Sequence, residues 1–231
     1  MPEKIFTIPI NEAFDISDGC PLCRMRRSLE KQNLEAALGA AMMEPDVRVE
    51  MNRAGFCASH TETMLRMKNK LALGLILESR LDEVRAYLEQ PSGKGRGLFG
   101  RKNTAGDAGE TLAKQSESCY ICKKVASTER RYCSNTAWLW ESNAAFREKL
   151  KVQPFFCLTH GGMLLLAAKE ELKEKDYLSL YSALTALMDH ALASVREDVT
   201  AFNVSFDHRN AGIPLTEAQR TALERAAEML K

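Results

Sequence analysis

Eight residues could do chemistry by their type and spacing. Cys20-Pro21-Leu22-Cys23 is followed by Phe56-Cys57-Ala58-Ser59-His60, and the same order returns at Cys119-Tyr120-Ile121-Cys122 and Phe156-Cys157-Leu158-Thr159-His160. Residues 24–56 separate the second and third cysteines of the first set, and residues 123–156 those of the second, a difference of one position. Six of the seven cysteines and two of the four histidines fall on this template, which is therefore an internal duplication. A Cys-x-x-Cys turn, favoured in the first copy by Pro21, sets two sulfurs on one side. A Cys-x-x-His at the first turn of a helix sets a thiolate and an imidazole on one face. Three sulfurs and one imidazole suit tetrahedral zinc better than iron or a dithiol redox couple. The spacing pairs Cys20, Cys23, Cys57 and His60 at one site and Cys119, Cys122, Cys157 and His160 at the other, giving two zinc ions per chain. Spacing alone leaves open an exchange of ligands between halves or between chains.

Four protein ligands close the coordination sphere, so such sites are structural and not hydrolytic. Three thiolates on a dication leave a net negative centre. Arg24, Arg26 and Arg27 follow the first Cys-x-x-Cys, and Lys123, Lys124, Arg130 and Arg131 follow the second, either to offset that charge or as ordinary solvated helix faces. Glu44 or Asp46 is expected to cap a helix or brace the metal loop. Cys133 fits neither set and reads as a helix cysteine beside Arg130 and Arg131. His190 reads as a core or boundary histidine, and His208 as a capping or salt-bridging residue beside Asp207 and Arg209. Trp138 and Trp140 are two apart, so a helix cannot bury both on one face.

The elements that position these residues are helical. Apolar residues recur at three- and four-residue steps across residues 24–43, 58–89 and 123–150, then in a short helix at 161–173 and along a stripe from Tyr177 to Phe202. Pro45 is expected to end the first of these helices and Gly74 to bend the second. Thr216 and Gln219 have capping-box spacing for a last helix. Residues 4–10, with β-branched side chains and a proline, read as a short extended N-terminal arm. The fold class is all-α, in two pseudo-repeated halves each organised around a Cys₃His zinc site. The halves are residues 1–90 and 119–231, joined by a flexible Gly-rich linker at 91–118 that holds six of the thirteen glycines.

The chain has 231 residues, 45% of them apolar, with 32 Lys and Arg against 31 Asp and Glu. That is enough to bury a core, and too balanced in charge to attract nucleic acid or an anionic membrane. Neither a membrane span nor a signal peptide is expected, since the longest strongly apolar run is residues 163–168. An odd cysteine count without such a leader points to a reducing cytoplasm and to metal chemistry, not a disulfide framework. No phosphate loop, nucleophile elbow or dinucleotide fingerprint is present.

At residues 4–14 (KIFTIPINEAF), at CPLC, at residues 43–60 (MEPDVRVEMNRAGFCASH) and at Leu73–Leu75, the chain resembles a bacterial family of uncharacterised cytosolic proteins. The likeness continues through the second Cys-x-x-Cys, FFCLTH and Phe206-Asp207-His208-Arg209-Asn210. That family is a domain of unknown function, and the resemblance implies no activity. It implies that both cysteine–histidine sets belong to one design and that residues 43–48 are a feature of it; the Gly-rich linker has no counterpart. The expected function is a zinc-stabilised scaffold or adaptor for another macromolecule, most simply a protein. A thiol-based redox or metal sensor is the alternative. A Cys-x-x-Cys oxidoreductase ranks behind both, because CPLC lacks the βαβ context of such enzymes.

Overall fold

A computed structural model describes residues 4–89, 112–114, 118–210 and 212–231. The linker assigned to residues 91–118 lies outside them except at 112–114, which are helical, and at Ser118. Helices are the regular elements of the described residues, which contain no strand. In chain order the helices are α1 (Thr7–Phe14), α2 (Pro21–Ala37), α3 (Pro45–Ala54), α4 (Ala58–Arg66), α5 (Lys70–Glu89) and α6 (Tyr120–Ser142). There follow α7 (Ala144–Lys151), α8 (Leu158–Glu171), α9 (Glu174–Val204), α10 (Glu217–Arg220) and α11 (Ala222–Leu230), with short 3₁₀ turns at Lys4–Phe6, Ala40–Met43 and His208–Asn210.

The expected extended arm is helical instead. Pro9 sits in the first turn of α1, where an N–H has no intrahelical partner to lose, and Ile10, Ala13 and Phe14 form its buried stripe. Pro45 likewise starts α3 where it was expected to end the preceding helix, and Pro21 starts α2. Two long periodic stretches are each split by an asparagine. Asn69 accepts from the backbone N–H of Ala72 and donates to the Leu38 carbonyl, opening α5. Asn143 accepts from the Phe146 N–H and opens α7. Gly74 lies within α5, and α8 begins three residues earlier than expected. The capping box at Thr216 and Gln219 is present.

The chain forms two compact units: Met1–Arg27 with Thr128–Lys231, and Ser28–Ser127. Their bounds are not those of the two sequence halves, because α2 and α6 each begin in one unit and continue into the other. In the first unit Phe14 packs on Phe146 and Phe156, with ring centroids 4.9 and 6.1 Å apart. Lys149 pairs with Asp15 at 2.6 Å, and Gln153 donates to the Phe14 carbonyl, holding α1 against α7. Helix α9 buries Leu180, Leu184, Ala191 and Val195 and packs on α8 and α11. In the second unit Met42, Met51, Met64, Leu73 and Ile76 are core residues. There Arg48 donates to Ser79 at 2.7 Å and Arg80 to the Asn52 carbonyl at 2.5 Å, joining α3 to α5.

Candidate metal centres

All four ligand pairs stand at helix N-termini. Cys20 and Cys119 immediately precede α2 and α6, and Cys57 and Cys157 occupy the N-caps of α4 and α8. The second ligand of each pair (Cys23, Cys122, His60 or His160) lies three positions later, in the first turn. In every case the carbonyl of the first ligand accepts the first intrahelical hydrogen bond. Uncompensated backbone N–H groups at such an end favour thiolates over thiols.

The eight residues assemble into two clusters, and the pairing differs from the expected one. Cys20 and Cys23 meet Cys157 and His160 in the first unit, while Cys57 and His60 meet Cys119 and Cys122 in the second. Each Cys-x-x-Cys therefore joins the Cys-x-x-His of the other copy. In the first centre Cys23 Sγ stands 3.5 Å from Cys157 Sγ, and His160 Nδ1 lies 3.8, 3.2 and 3.1 Å from the sulfurs of Cys20, Cys23 and Cys157. In the second, His60 Nδ1 lies 3.1, 3.3 and 3.5 Å from Cys57, Cys119 and Cys122, and Cys57 Sγ is 3.9 Å from Cys122 Sγ. A tetrahedron with Zn–S of ~2.3 Å and Zn–N of ~2.0 Å has edges of roughly 3.5–3.8 Å, so the donor atoms match in both number and spacing.

Each imidazole turns its other nitrogen onto a carboxylate. His160 Nε2 is 2.6 Å from Glu129 Oε1, and His60 Nε2 is 2.7 Å from Glu30 Oε1. A carboxylate there fixes the tautomer with Nδ1 free for a metal and makes that nitrogen more basic. Glu129 is buried and also accepts from Arg26 at 3.0 Å. Burial disfavours its charge, but His160 and Arg26 outweigh burial and hold its carboxyl below the ordinary range. These two glutamates, and not Glu44 or Asp46, brace the histidines. Glu44 is the N-cap of α3 without a side-chain hydrogen bond, and Asp46 is in the next turn. A signal was present: both glutamates stand seven residues after the last cysteine of their Cys-x-x-Cys.

The electrostatics of the first centre seek a cation. Burial opposes a charge on His160, yet Cys157, Cys23 and Glu129 raise it to about 11, while Cys157 lies far below the usual thiol range because Cys20 and Cys23 donate to it. A dication would meet the same surroundings that hold this proton, and the residues present fit zinc. The nearby basic side chains are engaged with carboxylates: Arg24 with Asp18, Arg26 with Glu129, and Lys123 and Lys124 with Glu50.

The two centres differ in access. All four ligands of the first are buried. In the second, His60 and Cys119 are buried, Cys57 is half-buried and Cys122 is exposed. The hollow beside Cys20 and Cys23 is about 70 Å³, whereas the one beside Cys119 and Cys122 is about 480 Å³.

The remaining candidates lie apart from both clusters. Cys133 is a buried cysteine within α6, and burial pushes its thiol up to about 12. All seven cysteines are free of disulfides. His190 is exposed, not a core residue. His208 is exposed beside Asp207, which accepts from the Arg209 backbone and guanidinium. Trp140 is buried and Trp138 half-buried. No helix among the described residues is long and apolar enough to cross a membrane.

No curated protein and no solved structure matches the chain. A family model does match, over residues 1–231, so the duplicated cysteine–histidine centres lie in a chain that belongs to DUF6062, a family of unknown function.

Proposed function

We propose that this chain is a cytosolic zinc protein whose two Cys₃His centres stabilise a helical scaffold that binds a protein partner. The observation that carries the metal reading is the arrangement at each histidine, with Nδ1 among three sulfurs and Nε2 on a glutamate. Such ligand sets leave no open coordination position, which favours a structural role over hydrolysis. Since the ligands of each centre are far apart in sequence, metal binding would contribute directly to folding. Thiolate ligands require a reducing compartment, which supports the cytosol. With all eight candidate ligands engaged on metal, the helical surface is what remains for recognition of a partner.

The test is metal content by inductively coupled plasma mass spectrometry on natively purified, untagged protein, with thiol counting alongside. About two zinc ions per chain is the expected result. Protein that is folded without metal, with thiols that cycle freely to disulfides, overturns the reading.

A further inference from the structure

The two centres share a ligand set but not their exposure, and the difference assigns them different chemistry. In the first centre Cys20, Cys23 and Cys157 are all buried, Cys157 with no exposed surface, and the hollow beside Cys20 and Cys23 is only about 70 Å³. In the second, Cys122 is exposed at the wall of a hollow of about 480 Å³ that Glu50, Arg53, Cys119 and Lys123 also line. Cys57 is half-buried, and its sulfur lies 3.9 Å from that of Cys122. The second centre thus offers an accessible thiolate with another sulfur beside it. The helix α6 N-terminus adds positive potential at the approach, where Lys123 is paired with Glu50. The hollow is large enough for a small oxidant to reach the sulfur, and the first centre has no comparable opening.

We infer that Cys122 is a modification site: its metal-bound thiolate attacks a hydroperoxide, and Cys57 resolves the product with release of the second centre's metal. The inference rests on both centres holding zinc. In the first step the Cys122 sulfur takes the terminal oxygen of the hydroperoxide, the O–O bond breaks, and the leaving alkoxide or hydroxide takes a proton from water. The product is a sulfenic acid, a poor ligand. In the second step the Cys57 thiolate attacks the Cys122 sulfur, the S–O bond breaks, and the departing hydroxide is protonated to water. Two thiolates lose two electrons in total, and one hydroperoxide is reduced by two. His60 and Cys119 remain as two ligands, too few to retain zinc against competing chelators. The first centre keeps its metal longer because its sulfurs are buried beside a much smaller hollow.

The experiment treats the full zinc-loaded chain with hydrogen peroxide in the presence of a chromogenic zinc chelator, followed by peptide mapping of the products. One of two zinc ions is expected to leave at least about tenfold faster than the other, with a Cys57–Cys122 disulfide formed and zinc uptake restored by a thiol reductant. The Cys122→Ser variant is expected to lose the fast phase. This measurement on the unaltered chain stands even where that variant fails to fold. Release of both metals at one rate, or a product that leaves out Cys122, overturns the inference. A Cys119–Cys122 bridge overturns the role given to Cys57. A chain that purifies without zinc instead fails the metal reading itself, which the starting metal content reveals before peroxide is added.

Discussion

Cys23 Sγ stands 3.5 Å from Cys157 Sγ, so a single centre draws its sulfurs from both copies of the repeat. A metal there would close a loop of more than half the chain, and one at the second centre, from Cys57 to Cys122, would close another. Closing such loops lowers the entropy of the unfolded chain, so each metal, when bound, would stabilise a long-range topology and not a local hairpin.

Fragments test this exchange. Residues 119–231 alone hold Cys119, Cys122, Cys157 and His160 in the right order, yet these side chains belong to different centres. The fragment is expected to bind no zinc tightly, and mixing it with residues 1–90 is expected to restore two sites. Chelator competition on the separate and mixed fragments measures both. A fragment that takes up one tightly held zinc by itself contradicts the exchanged pairing.

Glu129 and Glu30 make the same contact in different surroundings. The Glu129 side chain is 4% exposed and also holds Arg26, whereas that of Glu30 is 36% exposed. Water can replace a lost acceptor at Glu30 but not at Glu129. Glu129→Gln is expected to weaken zinc binding at the first centre by about 10–100-fold, and Glu30→Gln to weaken the second by less. Dissociation constants from chelator competition decide it, and equal losses would remove burial as the reason.

The eight clustered residues are readable from sequence because Cys and His are rare and a three-residue spacing at a helix start leaves little choice of geometry. Their partners are not, because both copies have nearly the same gap and cis and exchanged pairings satisfy it equally. Glu30 and Glu129 look like any solvated helix acid until their matched distance from Cys23 and Cys122 is noticed. The helix boundaries at Asn69 and Asn143 fall inside unbroken apolar periodicity, where only the capping side chain marks the stop. Pro9 and Pro45 mislead for the opposite reason: a proline in a first turn is a helix start, and the sequence pattern around it resembles an end.

Acid should release the second centre's metal in a graded way. Without metal, burial opposes ionisation of Cys57, but the His60 backbone N–H and the Cys119 thiol outweigh it and bring Cys57 down to about 7. Partial desolvation of the otherwise exposed Cys122 and the hydrogen bond with Cys119 push its thiol up to about 12. A depressed thiol favours the folded state above its ordinary value of 9.0, and that contribution is lost as pH falls through about 7. Zinc must displace the Cys122 proton throughout this range, and the Cys57 proton as well below about 7. Calorimetry in buffers of different ionisation enthalpy is expected to show about one more proton released per zinc at pH 6 than at pH 8. Cys157 is ionised over that whole window, so the first centre adds no matching step. A constant proton count would refute the order of ionisation.

Gly55 links the end of α3 to the second centre. Its φ of 64° lies in the left-handed region, which lets the chain turn from Ala54 into Phe56 and Cys57. Its carbonyl accepts the Tyr120 backbone N–H at 2.9 Å, and the neighbouring Ala54 carbonyl accepts from Ser118, so the turn holds the chain on both sides of Cys119. A Cβ at this position would stand 3.1 Å from the Arg80 guanidinium, which itself donates to Asn52. Gly55→Ala therefore strains the backbone and displaces Arg80 together, for a loss of about 1–3 kcal/mol. Gly162, within α8, is the control: it is exposed, a Cβ there meets nothing within 4 Å, and an alanine is expected to be neutral or stabilising. Urea denaturation of the zinc-loaded variants should separate the two, and chelator assays on Gly55→Ala should show faster loss of one metal of the two. Equal stability of the two variants would mean that the turn at Gly55 does not hold the second centre in place.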